Sequence, residues 1–397
     1  MRKPLEGVRV IDFSTFVAAP VCCRLLADLG AEVIKVERPE GDGWRLTGVS
    51  YNYTRFSDKE NPVFDIYNSG KRHVALNLKT TEGMEAFHKL LETSDVLVTN
   101  TRPKALKKLG LDYESLKEKY PRLVYGIVLG YGEEGPDKDM RAFDTSAFWA
   151  RGGFLMDQAI AREGYEPTQA PFSMGDTVTG YLLMGEICAA LFRREKTGTG
   201  DYVRSGLFHN SIFTMGTMAI ISQPPFGNVF PRDRIAWSCP SGSYECADGQ
   251  WVYISGYNAA LNDVILQMIG REDLLSDPDR YKKRAELYEI MRSAMLEKPS
   301  DYWLPRAKEF DIPLIRMGHY ADLATDPQAW ANGYLEKVDF PSGNTDIMPR
   351  SPIEMDSVGE LTTKVSPAIG SATDAVLQEL GYDPESIQAM RQSGAVR

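Results

Sequence analysis

A chain of 397 residues, 43% hydrophobic and 25% charged, has room for two domains and a large core, and its balance is that of an ordinary soluble protein, for which disorder is not the default. The formal net charge of −10 argues against a nucleic-acid partner, which requires a basic footprint. No apolar run reaches the ~20 residues that span a bilayer, and the start Met1-Arg2-Lys3-Pro4-Leu5-Glu6-Gly7 lacks a secretory core, so a cytoplasmic protein without a membrane partner is expected. The five cysteines show no Cys-x-x-Cys spacing, and His73, His88, His209 and His319 are scattered. Reduced cysteines and no metal are therefore expected.

Val8 to Phe13 reads as a strand, Val21 to Leu29 as a helix ended by Gly30, and Glu32 to Glu37 as a second strand. A strand around Val74 to Leu78, a helix over Glu82 to Glu92 and the strand Asp95 to Thr99 follow. Helical turns within Lys104 to Lys119, the strand Leu123 to Leu129 and a long helix over Thr177 to Arg194, closed by Gly198-Thr199-Gly200, continue the alternation. This pattern predicts an α/β, doubly wound, Rossmann-like large domain. Its first βα junction, Thr15-Phe16-Val17-Ala18-Ala19-Pro20, has no glycine fingerprint for a dinucleotide, so NAD is not expected.

Beyond about residue 220 the texture changes. Pro224, Pro225, Pro231 and Pro240 break the chain, Ser241-Gly242-Ser243 reads as an ordinary turn, and Trp251 to Ser255 reads as a strand among short helices. A smaller α+β domain over residues 221–330 is expected, with residues 1–220 forming the first part of the large domain. Residues 331–397 would complete that domain through a strand-poor polar return over Thr345 to Val365. Two helices, Thr373 to Leu380 and Pro384 to Gln392, split at Gly381, would then pack back on it.

Asp176 is the most informative side chain. It stands in Phe172-Ser173-Met174-Gly175-Asp176-Thr177, at the mouth of the long helix. Its local pattern reads first as an N-cap, and alternatively as a nucleophile kept ionised by the helix dipole and free N–H donors. Arg38, Lys79, Arg102, Lys108 and Arg141 lie near strand ends or in the segments that follow them, where several can converge on one anion, although each taken singly reads first as a solvated surface charge.

Pro4-Leu5-Glu6-Gly7 running into Val8 to Phe13, Asp28-Leu29-Gly30-Ala31, Asn68-Ser69-Gly70-Lys71-Arg72, Gly130-Tyr131-Gly132, Gly135-Pro136, Gly175-Asp176 and Lys196-Thr197-Gly198-Thr199-Gly200 occur in this order. As a set they resemble the class III CoA-transferases. Asn100-Thr101-Arg102-Pro103-Lys104, Leu111-Asp112-Tyr113-Glu114 and Gln328-Ala329-Trp330 are similar to the branch that moves CoA onto (R)-2-hydroxy acids such as phenyllactate and 2-hydroxyisocaproate. The resemblance implies that Asp176 is the nucleophile and that the fold is an interlocked homodimer. It implies CoA contacts at Val17, Ala18, Arg38, Leu76, Lys79, Asn100, Thr101, Arg102, Lys108 and Arg141, with Lys108 replacing an arginine of some relatives.

Asp144 occupies the position of an acidic residue near the family's active site, where it acts as an auxiliary or merely caps a helix. Coenzyme A, as an acyl-CoA co-substrate, is the one cofactor implied. The glycine-rich loop of oxalate-specific members has no counterpart here. Two rivals stand beside this reading: an α-methylacyl-CoA racemase, which needs a His–Asp pair where this chain has Phe143-Asp144, and a CoA-binding protein without catalysis.

Overall fold

Short runs of apolar residues buried on both faces are what a parallel sheet covered by helices requires. In a computed structural model, which describes residues 2–46, 53–57, 59–159, 166–230, 239–256 and 258–397, six such runs form one sheet. They are Arg9–Phe13 (β1), Glu32–Glu37 (β2), Arg72–Ala75 (β3), Val96–Thr99 (β4), Val124–Leu129 (β5) and Asp201–Gly206 (β6). The order is β3-β2-β1-β4-β5-β6, and every pair is parallel. Strand order reverses between β1 and β4, so the loops leaving those two strands diverge and open a crevice at the carboxyl edge of the sheet.

Helices cover both faces: Ala18–Asp28 (α1), Pro62–Asn68 (α2), Thr81–Glu92 (α3), Pro103–Leu109 (α4), Met174–Thr197 (α5) and Leu207–Thr214 (α6). On one face α1 and α5 supply Cys22, Leu26, Leu183 and Ile187 against Val10, Val98 and Val124. On the other, Phe87 and Leu90 of α3 meet Ile11, Ile34 and Leu97. Cys22 and Cys23 are free and buried.

The chain divides into two compact units. The first comprises Met1–Phe154, Gln169–Gln223 and Pro327–Arg397; the second comprises Leu155–Thr168 and Pro224–Asp326. The second holds an antiparallel sheet of Gly242–Glu245 (β7), Trp251–Ile254 (β8) and Leu314–Arg316 (β9). Helices Ala259–Met268 (α7), Arg284–Leu296 (α8) and Ser300–Glu309 (α9) pack Ile265, Met291 and Trp303 against Tyr244, Val252 and Ile254. Pro231 lies outside the described residues.

Four local expectations are corrected. The first helix begins at Ala18, not Val21, because a proline is tolerated in a first turn, where no N–H is needed from it. The long helix begins at Met174, with Ser173 as its N-cap at φ 63°, so Asp176 is inside the first turn and is not the cap. The polar return contains a strand: Leu335–Asp339 (β10) pairs antiparallel with Thr345–Pro349 (β11), its alternation putting Glu336, Val338 and Met348 inward while Lys337, Asp339 and Ile347 face outward. Ser241 is buried, its hydroxyl engaging both N–H and C=O of Gly256, and Gly242 already belongs to β7 rather than to a free turn. Helices Thr373–Glu379 (α10) and Pro384–Gln392 (α11) pack Val376, Leu377, Ile387 and Met390 into the core of the first unit.

Candidate active site

The crevice between β1 and β4 holds a cavity of about 560 Å³. Thr15, Phe16, Val17 and Ala18 line it after β1, Asn100 and Arg102 after β4, and Gly130, Lys138, Arg141, Phe143 and Asp144 after β5. Asp176 also faces it.

The β1–α1 loop is tied on every side. Asn100 accepts from Thr15 N at 3.0 Å and donates to Thr15 O at 2.6 Å, clamping the two diverging loops together. Asp42 accepts from Phe16 N at 3.2 Å and Trp44 N at 2.9 Å. Beneath the loop, Lys71 Nζ donates to Asp12 Oδ2 at 2.7 Å, to Pro20 O at 2.9 Å and to Asn68 Oδ1 at 2.9 Å. Lys35 Nζ donates to Ser14 O at 3.0 Å and pairs with Asp42 at 3.0 Å. The Asn68 to Lys71 motif is therefore a buried brace. Two cations and two carboxylates share it, so no charge is left uncompensated. Burial pushes the Asp12 carboxyl up, but Lys35 and Lys71 outweigh it and hold the group below the usual carboxylate range.

Asp144 and Asp176 meet 32 residues apart in sequence. Asp144 Oδ1 accepts the Asp176 main-chain N–H at 3.1 Å, and the N–H groups of Gly175 and Ser173 also act on the Asp144 carboxyl. A side chain from another segment thus serves the open N–H groups of α5. Gly175 is required there because a Cβ would strike the Phe148 ring and Asp144 Oδ1.

These contacts overturn the expectation that free helix N–H groups keep Asp176 ionised. Asp144 takes them, whereas burial and then the Asp144 charge push Asp176 up to about 7. Protein packs around Asp176 on most sides, and its remaining surface opens into the cavity. Burial likewise raises Asp144.

One wall of the cavity is aromatic. Phe16, in left-handed backbone at φ 64°, meets Trp44 and Phe143 edge-on, each at 6.2 Å between ring centres. Of the aromatic residues near Asp144, Phe143 lines the cavity. Phe148 and Trp149 are 1% and 6% exposed and belong to the core.

Arg102, Lys138 and Arg141 line the same cavity, and Arg102, Lys104, Lys108 and Lys138 line an adjoining one of about 310 Å³. Among the described residues none of these side chains has an ion-pair partner. Val17, Ala18, Asn100, Arg102, Arg141, Asp144 and Asp176 are thus brought to one cavity, and Lys108 to its neighbour. Arg38 and Lys79 are exposed after β2 and β3. Leu76 is 2% exposed, packed in the core and bridged to Val396. Thr101 N–H is held by Thr99 Oγ1 at 3.1 Å. These four line neither cavity. Phe16, Trp44 and Lys138 escaped the sequence reading. The turn Gly135-Pro136-Asp137-Lys138-Asp139 after β5 was the available signal for Lys138. No group of three His, Cys, Asp or Glu side chains able to hold a metal occurs among the described residues, nor a helix long and apolar enough to cross a membrane.

Comparison with known proteins shows the family of the chain. The chain is 40% identical over 403 residues, 99% of each chain, to the (R)-2-hydroxy-4-methylpentanoate CoA-transferase of Clostridioides difficile. It is 38% identical to the cinnamoyl-CoA:phenyllactate CoA-transferase of Clostridium sporogenes, covering 97% of this chain and 95% of that one. The crystal structure of a CAIB/BAIF family protein from Brucella suis superposes with a TM-score of 0.80 at 28% identity, covering 96% of this chain and 100% of that one. The family model for CoA-transferase family III matches residues 5–373. The chain belongs to CoA-transferase family III and is a CoA-transferase.

Proposed function

We propose that the protein moves CoA from an acyl-CoA or 2-enoyl-CoA to an (R)-2-hydroxy acid with an apolar side chain, with Asp176 as nucleophile. One observation carries this reading. The Asp176 carboxylate faces a cavity whose one wall is aromatic and whose rim is made of cations without carboxylate partners. Asp176 attacks the thioester carbonyl, the C–S bond breaks, and a mixed anhydride and CoA thiolate result. The thiolate attacks the aspartyl carbonyl, releasing the donor acid and leaving an aspartyl-CoA thioester. The acceptor carboxylate attacks that thioester and the steps run in reverse, so thioester energy is conserved without ATP or a metal.

CoA is taken by Val17, Ala18, Asn100, Arg102 and Arg141 in the cavity, with Arg38, Lys79, Thr101 and Lys108 outside it. Leu76 contributes through its main chain, its side chain being core. The Rossmann-like reading of the first unit rests on its 3-2-1-4-5-6 strand order. Asp144 serves Asp176 by engaging the N–H groups of its helix. A racemase reading loses its proton shuttle, because the residue beside Asp144 is Phe143, whose ring carries no exchangeable proton.

The substrate class follows from the wall. Phe16, Trp44, Phe143 and Phe172 offer an aryl or branched alkyl group an apolar surface, while a second carboxylate against it would lose hydration without a partner. Phenyllactate and 2-hydroxy-4-methylpentanoate are expected to exceed lactate in kcat/KM by about 10–200-fold, the worth of a filled apolar pocket. Oxalate and carnitine are expected to be slower still. A preference for either of those two would overturn the substrate class.

We further propose a homodimer, interlocked in the family manner. Tyr181, Leu182 and Phe192 on α5, with Ile212 and Phe213 on α6, are exposed, and Gly185 and Ala189 between them leave room for close approach. Exposed apolar side chains on two neighbouring helices are what a subunit contact would cover. Sedimentation equilibrium at micromolar concentration is expected to give twice the chain mass of 44.4 kDa. A monomer at every concentration would refute it.

A further inference from the structure

Asp144 stands on a π-helical turn, Asp144–Ala150, in which Arg151 N donates to Ser146 O, five residues back, at 3.1 Å. In an α-helix the residue five positions on lies on a different face, whereas the wider π turn brings it back towards the side of the first. Asp144 and Trp149 therefore share a side. The turn is anchored at both ends: Ser146 Oγ accepts the Phe143 N–H at 3.0 Å, and Ser211 Oγ of α6 donates to Phe148 O at 2.7 Å. Phe148 and Phe154 hold the indole edge-on, with ring centres at 5.7 and 4.8 Å.

Asp144 Oδ1 accepts the Asp176 N–H. Asp144 Oδ2 and Trp149 Nε1 are both buried, and neither makes a well-aligned hydrogen bond among the described residues. An acceptor lacking a donor beside a donor lacking an acceptor is a costly arrangement unless each serves the other. The indole N–H already acts on the Asp144 carboxyl, opposing the rise that burial causes. Asp176 is the charged group that meets Asp144. On the helices packed against the turn, His209 of α6 acts on Glu186 of α5, while Arg102, Lys138 and Arg141 line the cavity.

We propose that Trp149 is a positioning residue for CoA transfer: its indole N–H is the partner of Asp144 Oδ2, and it fixes the Asp144 carboxylate, charged and with Oδ1 on the N–H groups of α5, beside the nucleophile. The proposal rests on the reading of Asp176 as that nucleophile. Trp149 lines neither cavity, so it works through Asp144. Without the indole N–H, Asp144 takes a proton more readily, loses its charge and ceases to repel the Asp176 carboxylate. Asp176 then ionises at lower pH.

NMR titration of isotope-labelled aspartate carboxyls tests it, with the two signals identified by their loss in Asp144→Asn and Asp176→Asn. Trp149→Phe is expected to raise the Asp144 midpoint by about one pH unit, the low end for a hydrogen bond to a charged group. The Asp176 midpoint is expected to fall by about half a pH unit. In the Asp144→Asn background the same substitution is expected to leave the Asp176 midpoint within about 0.2 pH unit, because the group through which Trp149 acts is gone. Unmoved midpoints in Trp149→Phe overturn the proposal. So does an equal movement in both backgrounds, which assigns Trp149 to packing alone. Should Trp149→Phe fail to fold, benzothienylalanine at position 149, which keeps the bicyclic ring and lacks the N–H, is read by the same criteria. The titration needs no turnover. If the midpoints move as expected while the acid limb of kcat/KM stays in place, the reading of Asp176 as nucleophile fails and the Asp144 partner assigned to Trp149 stands.

Discussion

Asp176→Ala is expected to lower kcat by at least about 10⁴-fold, or ~5.5 kcal/mol of transition-state stabilisation, while the protein stays folded. Without the carboxylate there is no anhydride and no enzyme thioester, and donor and acceptor have no shared intermediate through which CoA can pass. Borohydride added to wild type with acyl-CoA should reduce a thioester at Asp176 to the alcohol, detectable by mass spectrometry of the peptide and absent from Asp176→Ala. A variant with near-normal kcat would sink the nucleophile assignment.

The same residue sets a pH profile. With Asp176 pushed up to about 7 by burial and by Asp144, the free enzyme has its nucleophile protonated below that value, so kcat/KM should fall as pH drops through about 7. Asp144→Asn keeps an acceptor for the Asp176 N–H but removes the charge, so the limb should move to lower pH. A limb that stays in place would show that the Asp144 charge does not act on Asp176. The sign of the stability effect also follows. A carboxyl raised in the folded chain costs stability above about pH 7, and the cost disappears below its ordinary 3.8. Asp176→Ala should accordingly be no less stable than wild type at pH 8, which separates lost chemistry from lost fold.

What could be read from the sequence was local. Glu32–Glu37 and Pro384–Gln392 have the bounds that a short β-branched run after Gly30 and an Asp-Pro start announce. The site was legible as a set of residues after strands, because a parallel sheet delivers those positions to one edge whatever the details. Pairings across the chain were not. Asp144 looks like an ordinary helix-start residue until it is found at the N-terminus of α5, 32 residues away. Lys71 reads as a surface charge in a polar turn until the fold sets it 2.7 Å from Asp12, 59 residues earlier. Trp44 carries no motif; only the return of the chain after β2 brings it against Phe16.

Asp12→Ala is expected to cost the first unit about 3–5 kcal/mol, the penalty for breaking a buried ion pair from one side. That loss should lower its thermal midpoint on the order of 10 °C. Asp12, Lys35 and Lys71 are all fully buried, and Lys71 already has its proton affinity lowered by burial, an effect Asp12 opposes. With Asp12 gone, Lys71 must either stay charged without a partner or release its proton, and both alternatives are costly. The acid limb of stability should flatten as well: a carboxyl held below its ordinary 3.8 contributes stability above that pH and loses it on acidification, and the variant has no such group to lose. Asp12→Ala combined with Lys71→Met should recover much of the stability, since Lys35 still has Asp42 at 3.0 Å and no charge is left over. The double variant still lacks the Lys71 bonds to Pro20 O and Asn68 Oδ1, each worth about 1 kcal/mol, so recovery should be incomplete. A single variant melting within about 2 °C of wild type would show that the brace beneath the β1–α1 loop does not hold the fold by charge pairing.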